Sequence, residues 1–156
     1  MNDTALVVQP PKAPESTVYI FNMSEDVWPF IEAMSDSHVR ANEIDENADL
    51  GDHTLFGFAQ EENVLYIGPK QISDEFLSYY SALFGIKNIR AIRTRVHTGA
   101  ICEDIMRDER IMREIINTAN GSKRVNLVSY TTSQQFLRLS DELTRRGITV
   151  TTPESP

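Results

Sequence analysis

The fold is decided by residues 64–92, which read VLYIGPKQISDEFLSYYSALFGIKNIRAI. The first four residues form a short apolar run that is typical of a buried β-strand, and Gly68-Pro69 ends it. Ser73 is predicted to cap a helix, since two acidic residues follow it, and Gly85 to close that helix as a left-handed C-terminal cap. Between them, five apolar side chains share one helical face: Phe76, Leu77, Tyr80, Leu83 and Phe84. The β-prone residues 88–92 complete a strand–helix–strand unit.

The same alternation continues on both sides of this stretch. An apolar, β-prone run precedes it at residues 18–21, and two more follow it at residues 125–128 and 148–150. Amphipathic patterns over residues 101–118 and 132–147 predict the intervening helices. Strands that alternate with helices imply right-handed crossovers. The sequence therefore predicts an α/β fold, a Rossmann-like three-layer sandwich with a mostly parallel sheet of about five strands.

Local signals place helix starts and less regular segments. Ser24 is predicted to cap a short helix after the first strand, with Glu25 and Asp26 as favourable charges in its first turn. Thr132 is predicted to cap the last helix, because Gln135 follows three residues later, and Gly147 to close it. Residues 35–52 are polar and acidic and predict a surface loop, whereas residues 54–59 predict a short strand.

A chain of 156 residues has the size of one domain. Residues 1–15 contain three prolines and little apolar pattern, which predicts a flexible N-terminal arm. Residues 16–152 are predicted to form the α/β domain, and residues 153–156 the end of a linker.

The net charge of −8 narrows the choice of partners. Residues 1–68 carry thirteen acidic and two basic side chains, whereas residues 69–156 carry a net charge of +3. An acidic chain repels a phosphate backbone, so we expect no nucleic-acid partner. The uneven distribution fits either ordinary solvated surfaces or an acidic half that meets a basic partner or a neighbouring domain.

The expected cellular compartment is inferred from the lengths of the apolar runs and from the cysteine count. The longest apolar run near the start is too short for a signal-peptide core or a membrane span, so we expect a cytoplasmic location and no membrane partner. The single cysteine excludes an internal disulfide framework.

Ligands of open α/β sheets bind beyond the carboxyl ends of the strands. Six polar or cationic side chains follow the predicted strands at that edge and are the candidate substrate-binding residues: Asn22, Ser24, Lys70, Arg93, Thr131 and Thr132. Hydroxyls and free backbone N–H groups at the start of the last helix suit an anion or a carboxylate. Each candidate also has a purely structural alternative, as a helix cap, a turn residue or a solvated loop charge.

Known catalytic and cofactor motifs are absent from the sequence. No Gly-x-Gly-x-x-Gly follows a strand, and Gly121-Ser122-Lys123 lacks the upstream glycine of a phosphate-binding loop. The histidines are dispersed, which argues against a metal site. Cys102 lies near His97 at a predicted helix start, where a thiolate would be stabilised, although a small buried cysteine is the commoner outcome. We therefore predict no catalytic residue and no metal ligand.

Several of these segments together resemble a known family. A strand that leads into Asn22-Met23-Ser24-Glu25 is one element, and a strand that ends in Gly68-Pro69-Lys70 is another. Three further segments carry the likeness: DEFLSY at 74–79, LFGI at 83–86 and VSYTTSQQF at 128–136. Over about residues 17–153, the chain is similar to the N-terminal pre-ATP-grasp domain of pheganomycin-type peptide ligases, which are ATP-grasp carboxylate–amine ligases.

The resemblance implies a specific task. In such ligases, ATP activates a carboxylate as an acyl phosphate, which an amine then attacks. Two later domains of the same polypeptide hold the ATP and magnesium, so we expect neither cofactor in this chain and no ligation by it alone. The resemblance places the start of the ATP-binding part near Pro156. The chain is then either the first domain of a longer ligase or a stand-alone relic with another task.

In this interpretation the domain docks to the ATP-grasp domains and forms part of the binding wall for an amino acid or peptide substrate. The amide and hydroxyl candidates would hydrogen-bond the substrate, and Lys70 or Arg93 would meet its carboxylate or acyl phosphate. Two alternatives stay open. One is a stand-alone Rossmann-like module that binds a small ligand or a protein without catalysis. The other is a different α/β enzyme, such as a hydrolase or a methyltransferase.

Overall fold

The computed structural model describes residues 15–50 and 62–153, and their strands and helices follow the predicted alternation. These ranges hold five strands: β1 (Ser16–Ile20), β2 (Asn63–Gly68), β3 (Asn88–Arg93), β4 (Arg124–Ser129) and β5 (Thr149–Thr151). They also hold seven α-helices: α1 (Met23–Asp26), α2 (Trp28–Ala33), α3 (Ser37–Asp49), α4 (Asp74–Phe84), α5 (Ile101–Arg107), α6 (Glu109–Thr118) and α7 (Gln134–Arg145).

All neighbouring strands pair in parallel, in the order β3-β2-β1-β4-β5. The chain enters the sheet at its central strand, β1, and moves outward to β3 before it returns to the other side of β1 with β4. The strand order therefore reverses between β1 and β4, where α/β sheets of this type open a crevice for ligands. The predicted α/β class and the Rossmann-like three-layer sandwich are confirmed.

Helices cover both faces of the sheet. Successive side chains of a strand point to opposite sides, so they are buried in two different cores. Val18 and Ile20 of the central strand belong to a core that includes side chains of α5, α6 and α7. Tyr19 and Phe21, which alternate with them, belong to a second core on the other face, with Leu77 of α4. All four residues of this run are at most 4% exposed, which explains its unbroken apolar pattern.

The predicted loop over residues 35–52 is wrong for most of its length, because α3 occupies it. Asp36 starts this helix, since its carboxylate accepts hydrogen bonds from the backbone N–H groups of His38 (2.8 Å) and Val39 (3.2 Å). Val39 and Ile44 are the only large apolar residues in the helix. Without a continuous apolar stripe, this segment has no helical period that a sequence pattern could reveal.

The single helix predicted over residues 101–118 is also wrong in one respect, because the structure divides it into α5 and α6. The division falls at Asp108, whose backbone (φ −102°, ψ 95°) leaves the helical region. Its side chain then caps the second helix by accepting from the Arg110 N–H at 2.9 Å. An apolar period alone does not detect such a break, because the buried positions continue on the same side of the two helices.

Three of the predicted helix ends are confirmed. The Ser73 hydroxyl accepts a hydrogen bond from the Phe76 N–H at 3.1 Å and so caps α4. Gly85 closes α4 in the left-handed conformation (φ +69°), and Gly147 follows α7 with φ +85°. A glycine tolerates this conformation better than any other residue.

Two predicted caps are wrong. The cap of α7 is Ser133, not Thr132, because the Ser133 hydroxyl accepts from the N–H of Phe136 at 2.9 Å. Ser24 lies inside α1 and is buried, so it is not the residue that starts that helix.

Some predictions concern residues that lie outside the described ranges. They are the strand over residues 54–59, residues 1–14 of the arm and residues 154–156 of the linker. Within residues 15–50 and 62–153, no helix has the length and apolar character needed to cross a membrane.

Gly99 provides a test of the packing between the loop before α5 and the helices α2 and α3. Its backbone has φ +93°, and an added Cβ would lie 2.7 Å from the Trp28 ring and 3.1 Å from Ile44. We expect Gly99→Ala to lower the free energy of unfolding by about 1–3 kcal/mol, as overpacking does. Urea denaturation measures the change. Gly147→Ala is the matched control, because its backbone shares the positive φ (+85°) and its Cβ would meet no atom within 4 Å, and an equal loss in both variants would contradict the packing.

Candidate functional site

The switch point between β1 and β4 is bridged by the Asn22 side chain. Its Nδ2 donates to the Thr131 carbonyl at 2.8 Å, and its Oδ1 accepts from the Thr131 N–H at 3.0 Å. Asn22 therefore pairs with Thr131 as a further residue of the ladder would, just beyond the last paired residues of the two strands. We call this pair the switch-point clamp.

A buried carboxylate lies beside the clamp. Glu25 is only 5% exposed, and its two oxygens accept from three groups. These are Asn22 Nδ2 at 2.9 Å, the backbone N–H of Cys102 at 2.8 Å and the Ser133 hydroxyl. Because Cys102 lies in the first turn of α5 and Ser133 caps α7, one side chain joins the loop after β1 to the starts of two helices. Glu25, Asn22, Cys102 and Ser133 are called the Glu25 network below.

Four of the predicted site residues lie around this network. Asn22 and Thr131 are brought together as predicted, but their polar atoms bond to each other, and Asn22 also bonds to Glu25. The Thr131 hydroxyl also donates to Asp26 at 2.9 Å. Ser24 is buried, whereas Thr132 is exposed beside the clamp. Direct substrate contact by these residues stays a prediction.

Lys70, the fifth candidate, lies after β2 and is held by α3. Its ammonium forms ion pairs with Asp45 at 3.0 Å and with Asp49. These contacts, first the hydrogen bond to Asp49 and then that to Asp45, raise the pKa of Lys70 above its ordinary value. The side chain borders a cleft of about 370 Å³ that Tyr66 and Phe76 also line. Lys70 is therefore charged at neutral pH, but two carboxylates face its single positive charge, so this group of three is not a free positive site.

Arg93, the sixth candidate, ends β3 at the same edge of the sheet. It lines a cleft of about 390 Å³ together with Arg95 and Arg110. Arg110 was missed in the sequence, where it lies seventeen residues from Arg93, yet it donates to the Arg93 carbonyl at 3.0 Å. No spacing in the sequence predicts this hydrogen bond, because it depends on how α6 packs beside β3.

The groups most often used in catalysis do not assemble into a reactive set in the described part of the chain. Burial raises the pKa of the Cys102 thiol well above its ordinary value, and the Glu25 carboxylate raises it further. Burial also lowers the pKa of His97, although a backbone group of Ile44 close to its ring opposes the shift. Within residues 15–50 and 62–153, no group of His, Cys, Asp and Glu is arranged to hold a metal ion.

Glu25 itself was not predicted as a central residue. The sequence identified it as a favourable charge in the first turn of a helix and as part of the Asn22–Glu25 motif. Its actual partners lie 77 and 108 residues away, at Cys102 and Ser133.

Comparison with known proteins gives no independent identification: no family model matches the chain, and no curated protein or solved structure shows a significant match.

We expect Glu25→Gln to destabilise the fold. A neutral amide turns an N–H toward one of the three donors, which leaves a buried group unpaired at a cost of about 1–3 kcal/mol. Denaturant titration of the free energy of unfolding measures this loss. Glu32→Gln, at an exposed position of α2, removes the same charge and is the control. Equal stability of the two variants would show that the Glu25 network does not support the fold.

Cys102 is expected to resist thiol reagents in the folded protein. A raised thiol pKa leaves little thiolate at pH 8, and the side chain is fully buried. Alkylation by iodoacetamide, followed by mass spectrometry, should be slow in buffer and complete in denaturant. Labelling of the folded protein at the rate of a free cysteine peptide would contradict this placement.

Proposed function

We propose that this chain is a non-catalytic α/β domain of an ATP-dependent carboxylate–amine ligase, of the pre-ATP-grasp kind that its sequence resembles. It docks to the ATP-grasp domains of the ligase and forms one wall of the site for an amino acid or peptide substrate. ATP and magnesium bind to those other domains. A cytoplasmic location is part of this proposal.

The observation that carries the proposal is the distribution of charge at the carboxyl edge of the sheet. Lys70 follows β2, and Arg93 ends β3, so two adjacent parallel strands bring cationic side chains to one edge. Cations at this edge suit the carboxylate of an amino acid or peptide. Binding without catalysis fits the Cys102 thiol, whose raised pKa and burial make it a poor nucleophile.

The structure also suggests how the candidates divide their roles. Asn22 and Thr131 satisfy each other and hold the edge rigid. Arg93 presents charge beside an open cleft, whereas Lys70 borders another cleft with its charge already paired. The clamp therefore positions the wall, and the cations meet the substrate.

The alternative function is a stand-alone module that binds a small ligand without any ligase partner. The same edge and the same cations support it, since neither depends on a second domain. The two functions differ in whether ATP-grasp domains are encoded next to this domain or copurify with it.

Thermal unfolding of the chain tests the substrate-binding wall. The panel comprises amino acids, short peptides and Mg-ATP, each added separately. A ligand at a hundred times its dissociation constant stabilises a protein by about 2.7 kcal/mol, which raises the melting temperature measurably. We expect amino acids or peptides to raise it and Mg-ATP to leave it unchanged. An increase with Mg-ATP alone, or no increase with any compound, would contradict the proposal.

A further inference from the structure

Several polar side chains that take no part in the switch-point clamp lie together at the end of β3. Thr94 follows the strand, and its N–H donates to the Gly68 carbonyl at 3.1 Å, which fixes the backbone beside the end of β2. Arg93, Arg95 and Arg110 surround this position, and together with Gln71 they line the cleft of about 390 Å³. We call Arg93, Thr94, Arg95 and Arg110 the β3-end cluster.

The acidic side chains near the cluster already have partners. Asp108, which is 12% exposed, contacts Arg95 Nε at 3.6 Å and Arg110 Nη2 at 3.4 Å. This carboxylate places two guanidinium groups around one oxygen while leaving most of their N–H donors available. Glu109, the next residue, forms a two-pronged pair with Arg146 at 2.7 and 2.9 Å, so its charge is directed away from the cluster.

The Arg93 guanidinium has no carboxylate partner among the described residues; only the backbone carbonyl of Arg93 is engaged, by Arg110. In a chain with a net charge of −8, an arginine without an acidic partner beside two further arginines is a local positive site. Guanidinium groups bind carboxylates and phosphates through paired N–H donors.

A second, independent observation comes from Thr94. The residue is only 4% exposed and lines the cleft, and its hydroxyl has no hydrogen-bond partner among the described residues. A buried hydroxyl without a partner destabilises a fold, so its presence needs an explanation. A ligand oxygen in the cleft would accept its proton and remove the cost.

The geometry points to the β3-end cluster as a binding site for the oxyanion group of a small molecule, a carboxylate or a phosphate. Arg93 and Arg110 supply charge-assisted N–H donors, Thr94 supplies a hydroxyl donor, and Asp108 holds Arg95 and Arg110 in place. This inference deepens the proposed substrate wall and rests on its location, but not on the presence of a ligase partner.

Two probes distinguish the possible sources of the oxyanion. Citrate supplies carboxylates, and inorganic phosphate supplies a phosphate group, each titrated at constant ionic strength. Binding is followed by NMR of the ¹⁵N-labelled protein, through the backbone signal of Thr94 and the side-chain Nε–H signals of the arginines. Saturable shifts of these signals with at least one probe are expected, and the probe that binds more tightly identifies the class of oxyanion.

Three variants locate the site. Arg93→Gln is expected to weaken binding about tenfold, the typical effect of one charge-assisted hydrogen bond. Thr94→Val is expected to weaken binding about fivefold while keeping or raising the melting temperature of the unliganded protein, because it removes an unpartnered hydroxyl. Arg124 is the first residue of β4 and lies at the amino ends of the strands, opposite to the cluster. Arg124→Gln removes the same charge as Arg93→Gln and is expected to leave probe binding unchanged.

Failure has clear forms. Absence of saturable shifts with both probes, or equal weakening by Arg93→Gln and Arg124→Gln, would overturn the inference. A Thr94→Val variant that is more stable and binds as tightly as the original protein would remove Thr94 from the site.

Failure of this inference can be distinguished from failure of the proposed function. If the probes bind at the cluster but amino acids and peptides have no effect, the oxyanion site is supported and the substrate wall is refuted. If amino acids or peptides stabilise the chain and Arg93→Gln does not change this, the substrate wall is supported and the oxyanion site is refuted.

Discussion

The carboxylate of Glu25 is the constraint on which the arrangement of this domain depends. It is buried and accepts hydrogen bonds from the loop after β1, from the start of α5 and from the cap of α7. A buried charge is tolerated only when its oxygens are fully hydrogen-bonded, so these three elements must meet at one point. The helices α5 and α7, on the same face of the sheet, are thereby fixed at the ends that face the carboxyl edge.

This constraint also bears on where we propose that the domain binds a ligand. The crevice between β1 and β4 is the usual place in such sheets, but here the Asn22–Thr131 pair closes its base. The open clefts and the cations lie instead beside β2 and β3, at Lys70 and at the β3-end cluster. The rigid half of the edge therefore supports the half that is available for binding.

The sequence predicted those features that a few neighbouring residues determine. The five strands of the described sheet, Ser73 as a cap and Gly85 as a helix end depend on local propensity and were confirmed. The helix α3 was missed because it lacks an apolar stripe, and the Asp108 break because the buried positions continue across it. The tight grouping of Glu25 with Cys102 and Ser133 joins residues 77 and 108 positions apart. A single sequence does not record such pairings, since they form only when the helices pack.

The position of β3 has a further consequence. It is six residues long and is the outermost strand of the described sheet, so one side of its backbone lacks a neighbouring strand there. An exposed edge of this length is a template for aggregation, and natural proteins protect such edges with charged side chains. Arg90 and Arg93 place two charges on this strand. Protection of this edge and the proposed oxyanion recognition thus depend on overlapping residues, which would restrict how freely this strand can change during evolution.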